Sequence, residues 1–428
     1  MGTQSLTGEG RRARQETNGK ATMEHAKSHL VYGMHGLIAA FAIACMLVLA
    51  GCGQTPAGSS HANAESGAVE NAATWQPSKG ELARLDKDGY LYYLDYAKDY
   101  YSDEVVKELE DAGKTKPACS AFFTHTLDGD PLTCRNYDKL HRVSDEDPTP
   151  TGLNVVLHCA LPGKYESIAV GDAVYCGDNN PLLTRGGPDM EGFSVNLLDT
   201  IPYQCMDGMN EKGLVVSVLM VDIKEGDEPA RMVAGASIML RRLLDDCADV
   251  DAAIAYVNSC DLKPSDWQSC HLFVTDAAGN SAVIESRNGE VSVVKTDVVT
   301  NFYVGSDDAA DSYRNGKLRE DAVKLVDENG EPRYRFGYGH GYHRFTALAS
   351  QLEMYRDTNS DTYRTQMTEA EALVMLQSVV QNERTAATGT SWTQFSTLYR
   401  NAAKTFSVYP FQNWQTAYTF NTSGDRLS

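Results

Sequence analysis

The sequence predicts a layered α+β fold. Strand-type segments fall in groups, those groups alternate with pairs of helical segments, and the regular strand–helix–strand rhythm of a doubly wound sheet is missing. The 428 residues are 42% hydrophobic, 22% charged and 9% aromatic, ordinary values for packed domains, which excludes disordered, collagen-like and coiled-coil chains. No apolar run reaches about 18 residues unbroken, which excludes a polytopic membrane protein. With 38 Lys and Arg against 58 Asp and Glu, the net charge is −20. Such a surface disfavours nucleic acid, whose binding needs a basic face.

Residues 1–51 read as a signal peptide. Arg11, Arg12, Arg14, Lys20 and Lys27 outnumber three acidic residues, and the apolar stretch Leu37–Ala50 follows. That stretch is short for a bilayer span and right for a signal core. It ends in Leu49-Ala50-Gly51-Cys52, which resembles the bacterial lipobox, and in that pattern Cys52 is diacylated and becomes the mature N-terminus. Two acyl chains hold a protein firmly on a membrane. The expected location is therefore the extracytoplasmic face of a bacterial cell membrane, with Gln54 giving no obvious retention signal. Translation from Met1 or from Met23 leaves the same signal intact.

Residues 52–75 are small and polar and read as a flexible tether. Residues 76–118 are expected to form a helical segment. Leu82, Leu85, Leu94 and the tyrosines 90, 92, 93 and 96 fall near helical spacing, and Ser102 suits the N-cap of a second helix. The tyrosine stripe reads as packing rather than as a ligand surface. From Cys119 strand signals dominate. Cys119–Thr126, the turn Leu127–Asp130 and Pro131–Tyr137 form a hairpin. Further strands are expected at 154–159, 167–170, 202–206, 214–221, 271–275, 281–286, 291–295, 298–304, 395–399 and 405–409. Helices are expected at 235–246, 249–259, 346–355 and 368–381. Residues 119–428 thus form the main domain, without an internal repeat.

Ten cysteines occur; Cys45 in the signal and Cys52 at its end leave eight. No CxxC pair exists, so neither a zinc ribbon nor a thioredoxin-like site is supported. An exported chain is free to form disulfides, and Cys159 with Cys176 is the one pairing to entertain.

Cys119-Ser-Ala-Phe-Phe, a turn and Arg135-Asn-Tyr-Asp138 resemble the start of the choloylglycine hydrolase family. These cysteine N-terminal-nucleophile hydrolases of linear amides include bile salt hydrolases, penicillin V acylases and, more distantly, acid ceramidase. The family places Arg and Asp 16 and 19 residues after the Cys, as here. Gly208-Met-Asn-Glu-Lys-Gly-Leu214, Val299-Thr300-Asn301, His343-Arg344-Phe345 and Thr393-Gln-Phe395 resemble its later blocks, in order. The resemblance covers some 300 residues, from 119 to about 420.

The resemblance implies a four-layer αββα sandwich and an amidohydrolase with no cofactor and no metal. Cys119 attacks an amide carbonyl, and its own α-amine serves as base. Asp138 holds that amine. Arg135 lowers the thiol pKa, and Arg344 adds positive charge. Asn301 offers its side-chain N–H₂ to the oxyanion, a contact worth about 10²–10³ in rate. Tyr137, where relatives often carry Met, lines the acyl pocket. The substrate is a small-molecule N-acyl amide, and relatives are often tetramers, so a homo-oligomer is compatible.

Two departures stand out. Ten residues after Asn210, bile salt hydrolases carry Asn and penicillin acylases Tyr, whereas this chain has Met220. A Met side chain cannot donate a hydrogen bond, which leaves its backbone N–H for the oxyanion. Also, 118 residues precede Cys119. The acid-ceramidase-like relatives imply autoproteolysis at Ala118–Cys119, with residues 76–118 as a pro-segment or small subunit. The rival readings are a non-catalytic acyl-ligand-binding lipoprotein of this fold and an acyltransferase. The H-x-x-H of His340 and His343 reads as a mobile loop beside Arg344 rather than a metal site. No G-x-S-x-G elbow occurs.

Overall fold

The computed structural model describes residues 75, 77–102, 105, 118–139, 152–177, 180–183, 187–221, 234–260, 270–287, 290–305, 338–358, 364–381 and 392–428. The expected signal, lipidation site and most of the tether lie outside them, as does most of the helix expected after Ser102. In chain order the strands begin with β1 (Leu82–Arg84), β2 (Leu91–Asp95), β3 (Ala118–His125), β4 (Pro131–Lys139), β5 (Asn154–Cys159) and β6 (Ser167–Asp172). They continue with β7 (Cys205–Asn210), β8 (Val215–Met220), β9 (Cys270–Thr275), β10 (Ser281–Arg287), β11 (Glu290–Val294) and β12 (Val298–Val299). The last three are β13 (Trp392–Arg400), β14 (Thr405–Pro410) and β15 (Tyr418–Asn421). The helices are α1 (Ala234–Asp246), α2 (Val250–Ser259), α3 (Tyr338–Met354) and α4 (Glu369–Ser378).

Nine strands form one sheet in the order β1-β2-β5-β6-β7-β8-β9-β10-β11, and six form a second in the order β12-β3-β4-β13-β14-β15. Helices α1 and α2 cover the first sheet, α3 and α4 the second. The sheets face each other through buried cross-links: Thr133 Oγ1 meets Thr275 Oγ1 at 2.5 Å and Thr397 Oγ1 donates to Asp207 at 2.9 Å. This is the expected helix–sheet–sheet–helix sandwich. Every residue of β4 is buried, because one face meets the other sheet and the opposite face meets α4. By contrast β14, nearer the edge, alternates buried and half-exposed positions.

The helical expectation for residues 76–113 is corrected for the described part: it holds two strands. Gly89 takes φ +74°, and the Asp86 carboxylate accepts the N–H of Leu91 at 2.6 Å and of Asp88 at 3.2 Å. This closes a turn after which Leu91-Tyr-Tyr-Leu-Asp95, rich in β-favouring aromatics, runs parallel to β5. Tertiary pairing overrides a weak helical spacing. The tyrosines pack as expected: Tyr93 stacks on Phe420 at 5.5 Å. Trp75, assigned to the tether, is buried against Tyr93 and Phe420.

Other boundaries shift for local reasons. The strand expected at 202–206 is β7 at Cys205–Asn210, since Ile201–Tyr203 forms a 3₁₀ turn. The strand expected to run to Val304 stops at Val299. Beyond it, the N–H groups of Val304 and Gly305 turn to the Glu285 carboxylate, at 2.6 and 3.0 Å. Residues 338–343, expected as a loop, open α3. The Thr368 start is a capping box with Glu371. No disulfide links Cys159 to Cys176.

Candidate active site

Cys119 is the second residue of β3 and fully buried. Its Cα register partner on β4 is Tyr137, and Ala118 is registered with Asp138. A strand alternates its faces, so Arg135, Tyr137 and Lys139 point between the sheets, while Asn136 and Asp138 point to the helices. The contacts agree: Arg135 reaches Asp207 of β7 at 3.1 Å, and Asn136 donates to the Leu376 carbonyl of α4 at 2.8 Å.

Four of the expected residues converge on Cys119. Arg135 Nη2 donates to Cys119 Sγ at 3.2 Å and to the Val218 carbonyl at 2.6 Å. Asn301 Oδ1 accepts the Cys119 N–H at 3.1 Å. Arg344 Nη1 donates to the Cys119 carbonyl at 2.8 Å and to Asp138 Oδ2 at 3.1 Å, and its Nη2 to Asn301 Oδ1. Asp138 Oδ1 accepts Thr393 Oγ1 at 2.6 Å. Sγ, N and C=O of one residue are thus each held by a different long-range partner.

The electrostatics are finely opposed. Burial pushes the Cys119 thiol up, and Arg135 pulls against it. Burial outweighs the lowering contribution of Arg135 in the uncut chain. Burial likewise raises the Asp138 carboxyl to about 6, opposed by Arg344, the Thr393 hydroxyl and Arg135. Asp207 is raised by burial and held down chiefly by Arg135. Two buried cations and two buried carboxylates therefore compensate each other around the thiol, the arrangement in which buried charge is tolerated.

Two expected roles differ in detail. Asn301 Nδ2 donates to the Met220 carbonyl at 2.8 Å, so one of its two N–H bonds is occupied. Met220 contributes that carbonyl to the site. Tyr137 is fully buried, stacks on Phe395 at 4.9 Å and donates its hydroxyl to Asp172 at 2.5 Å. His343 is half-buried, with its imidazole pushed down by burial. No group of three or more metal-binding side chains occurs among the described residues.

Supporting residues went unnoticed in the sequence. Asp207, directly before the Gly208 block, pairs with Arg135. Thr393, which opens the Thr393-Gln-Phe395 block, anchors Asp138. Glu285 and His271 fasten the segment carrying Asn301: His271 Nε2 meets the Thr300 carbonyl at 2.8 Å, and its Nδ1 lies 3.2 Å from Glu285. A carboxylate inside the apolar run Ala282–Glu285 was the available signal. A cleft of about 460 Å³ near His125, Asp128 and Arg364 sits at the opposite end of β3 from Cys119.

Residues 168–393 match the family model described as acyl-coenzyme A:6-aminopenicillanic acid acyl-transferase. No curated protein matches the chain. Among solved structures, penicillin V acylase from Agrobacterium tumefaciens is 17% identical, with a TM-score of 0.42 over 71% of this chain and 85% of that one. Two variants of a conjugated bile acid hydrolase from Clostridium perfringens are each 16% identical at a TM-score of 0.44. They cover 72% of this chain and 94% and 95% of their own.

Proposed function

Since the chain belongs to the acyl-coenzyme A:6-aminopenicillanic acid acyl-transferase family, we propose that it is a cysteine amidohydrolase cleaving linear N-acyl amides after autoproteolysis at Ala118–Cys119. The convergence of Arg135, Asn301, Arg344 and Asp138 on Cys119 carries this reading. In the first reaction Cys119 Sγ attacks the Ala118 carbonyl. The C–N bond breaks as the C–S bond forms, and the thiol proton passes to the departing Cys119 nitrogen. Water then cleaves the thioester, leaving a carboxylate on Ala118 and a free thiol and amine on Cys119. In the second reaction the same thiol attacks a substrate amide, with its amine relaying the proton to the leaving amine. Asp138 holds the amine, and the second N–H of Asn301 meets the oxyanion.

The intact mass of the mature protein tests the first step. The expected result is a wild type split before Cys119 and a whole Cys119→Ala variant. An uncut, active wild type overturns it. Anchoring through Cys52 on the extracytoplasmic face belongs to the same proposal. Wild type should sediment with membranes and Cys52→Ala should be released; equal sedimentation overturns the anchor.

The family description favours a second reading, transfer of the Cys119-bound acyl group to an amine instead of water. Product analysis with added amines separates the two: a rising N-acyl product at the expense of free acid means transfer.

A further inference from the structure

Three hairpin turns meet at the end of the sandwich opposite Cys119 and surround a cleft of about 460 Å³. Asp128 and Asp130 come from the β3–β4 turn, Ala403 from the β13–β14 turn, and Ala278 from the β9–β10 turn of the nine-stranded sheet. His125 and Arg364 complete the wall. His125 is six residues along β3 from Cys119, about 20 Å at strand rise, so the cleft is separate from the site around the thiol. Its frame is fixed by hydrogen bonds. Asp130 accepts the N–H of Ala402 at 2.9 Å, the N–H of Ala403 at 3.2 Å and Arg400 Nε at 3.1 Å. Arg400 Nη2 donates to Asp128 at 2.9 Å. On the other sheet, Asp276 Oδ1 accepts the N–H groups of Ala278 and Asn280, each at 3.0 Å.

Arg364 stands apart from this satisfied frame. Its Nη2 donates to the Gly129 carbonyl at 3.0 Å, which holds the guanidinium against the turn between Asp128 and Asp130. Among the described residues it nevertheless forms no ion pair, because both aspartates are turned to Arg400. Its Nε is buried without a hydrogen-bond partner, and so is Nδ1 of His125. Burial, and next the Arg364 charge, push His125 down to about 4, so its ring is neutral at neutral pH. Buried polar atoms without partners are rare in folded proteins, and each calls for an account. Here two of them belong to side chains that line one cleft.

We propose that this cleft binds a small zwitterion of the α-amino-acid type, its carboxylate on Arg364 and its ammonium against Asp128. The guanidinium presents a planar set of N–H donors that matches a carboxylate, and the neutral His125 ring adds a hydrogen bond without a competing charge. Asp128 Oδ1 accepts Thr126 Oγ1 and its Oδ2 accepts Arg400 Nη2, which leaves each oxygen room for a second donor. A lone anion would meet the two aspartates, and a lone cation would meet Arg364. A molecule with both charges one carbon apart meets each with its opposite. The walls come from both sheets, so an occupant joins them, and binding to the folded chain alone stabilises it by mass action. The inference stands independently of the amidohydrolase reading.

The test uses the full-length Cys119→Ala chain, which cannot turn a probe over. The probes are the common α-amino acids, titrated singly by calorimetry. Each is compared with its N-acetyl derivative, which lacks the ammonium, and its amide, which lacks the carboxylate. At least one amino acid should bind more tightly than both of its derivatives, on the order of 10- to 100-fold, as charge-assisted hydrogen bonds predict. Arg364→Met and Asp128→Asn should each weaken that binding by a similar factor. Ala278→Phe leaves every charge in place and fills the cleft from the other sheet; it should abolish binding. The bound amino acid should also raise the Tm of the Cys119→Ala chain and leave that of the Ala278→Phe variant unmoved. Failure of every amino acid to bind overturns the proposal. So does a derivative that binds as well as its parent, or binding that survives Arg364→Met or Ala278→Phe. If Arg364→Met fails to fold, Ala278→Phe decides.

Discussion

Asp138 does its work through ionisation. As a carboxylate it pairs with Arg344 and, in the proposed mechanism, would hold the Cys119 amine; protonated, it would do neither. Its carboxyl is raised to about 6, so kcat/KM should fall on the acid side with a midpoint near pH 6. The Thr393 hydroxyl stabilises the charged form. Thr393→Val should therefore move the acid limb to higher pH, and an unmoved limb would mean another group titrates. Arg135 carries a second burden, because it is the partner of fully buried Asp207. Arg135→Met strands that carboxylate, and removing one member of a buried pair costs about 3–5 kcal/mol. Denaturant unfolding in the Cys119→Ala background should report a loss of this size; a loss under about 1 kcal/mol would mean Asp207 finds water. At this scale the sequence spoke clearly through chemistry at fixed spacing: Cys119, Arg135, Asp138, Asn301 and Arg344 all meet. It was silent on Asp207, whose importance comes from burial and its pairing with Arg135, and burial has no spacing signature.

Elements with strong local signals formed where the sequence placed them. The hairpin of β3 and β4, the strand that follows Gly213 and the helix that opens after Thr368 each rest on side-chain chemistry within a few residues. The misplaced elements depend on distant partners. β2 is a strand because β5 lies beside it, and the chain leaves β12 early because Glu285 takes its N–H groups. The Asn210–Gly213 turn shows both influences. Gly213 takes φ +84°, and a Cβ there would stand 2.3 Å from the Asn401 carbonyl oxygen. Asn401 Nδ2 in turn donates to the Gly213 carbonyl at 3.1 Å and to Thr275 Oγ1 at 3.0 Å. Gly213→Ala should lower stability by roughly 1–3 kcal/mol, read as a lower Tm. An unchanged Tm would show that the neighbouring sheet yields.

The described residues form two facing sheets with helices outside, and both sheets contribute to the site. The six-stranded sheet gives Cys119, Arg135 and Asp138, and the nine-stranded sheet gives Asp207 and the Met220 carbonyl. This plan was readable as α+β from the strand groups and as four layers from the family motifs. The place of residues 82–95 within the larger sheet was not, since a parallel pairing across some 60 positions of sequence leaves no local pattern. That placement matters for the cut chain. After the proposed cleavage at Ala118, the N-terminal piece would still supply the two edge strands β1 and β2 of the nine-stranded sheet, with Tyr93 packed on Phe420. The two pieces should co-elute on size exclusion and part only in denaturant; separation under native conditions would refute this.

The parallel pairing of β2 with β5 has one more consequence, for the order of the folding reaction. The uncut chain brings these strands together intramolecularly, at a rate independent of protein concentration. Once cut, the same pairing is an encounter between two molecules, and recovery from denaturant becomes second order and slow at low concentration. Under the proposed cleavage, maturation would thereby convert a reversible folder into a kinetically trapped one. The Cys119→Ala chain should regain its native signal on dilution at any concentration, whereas the processed enzyme should do so only when concentrated.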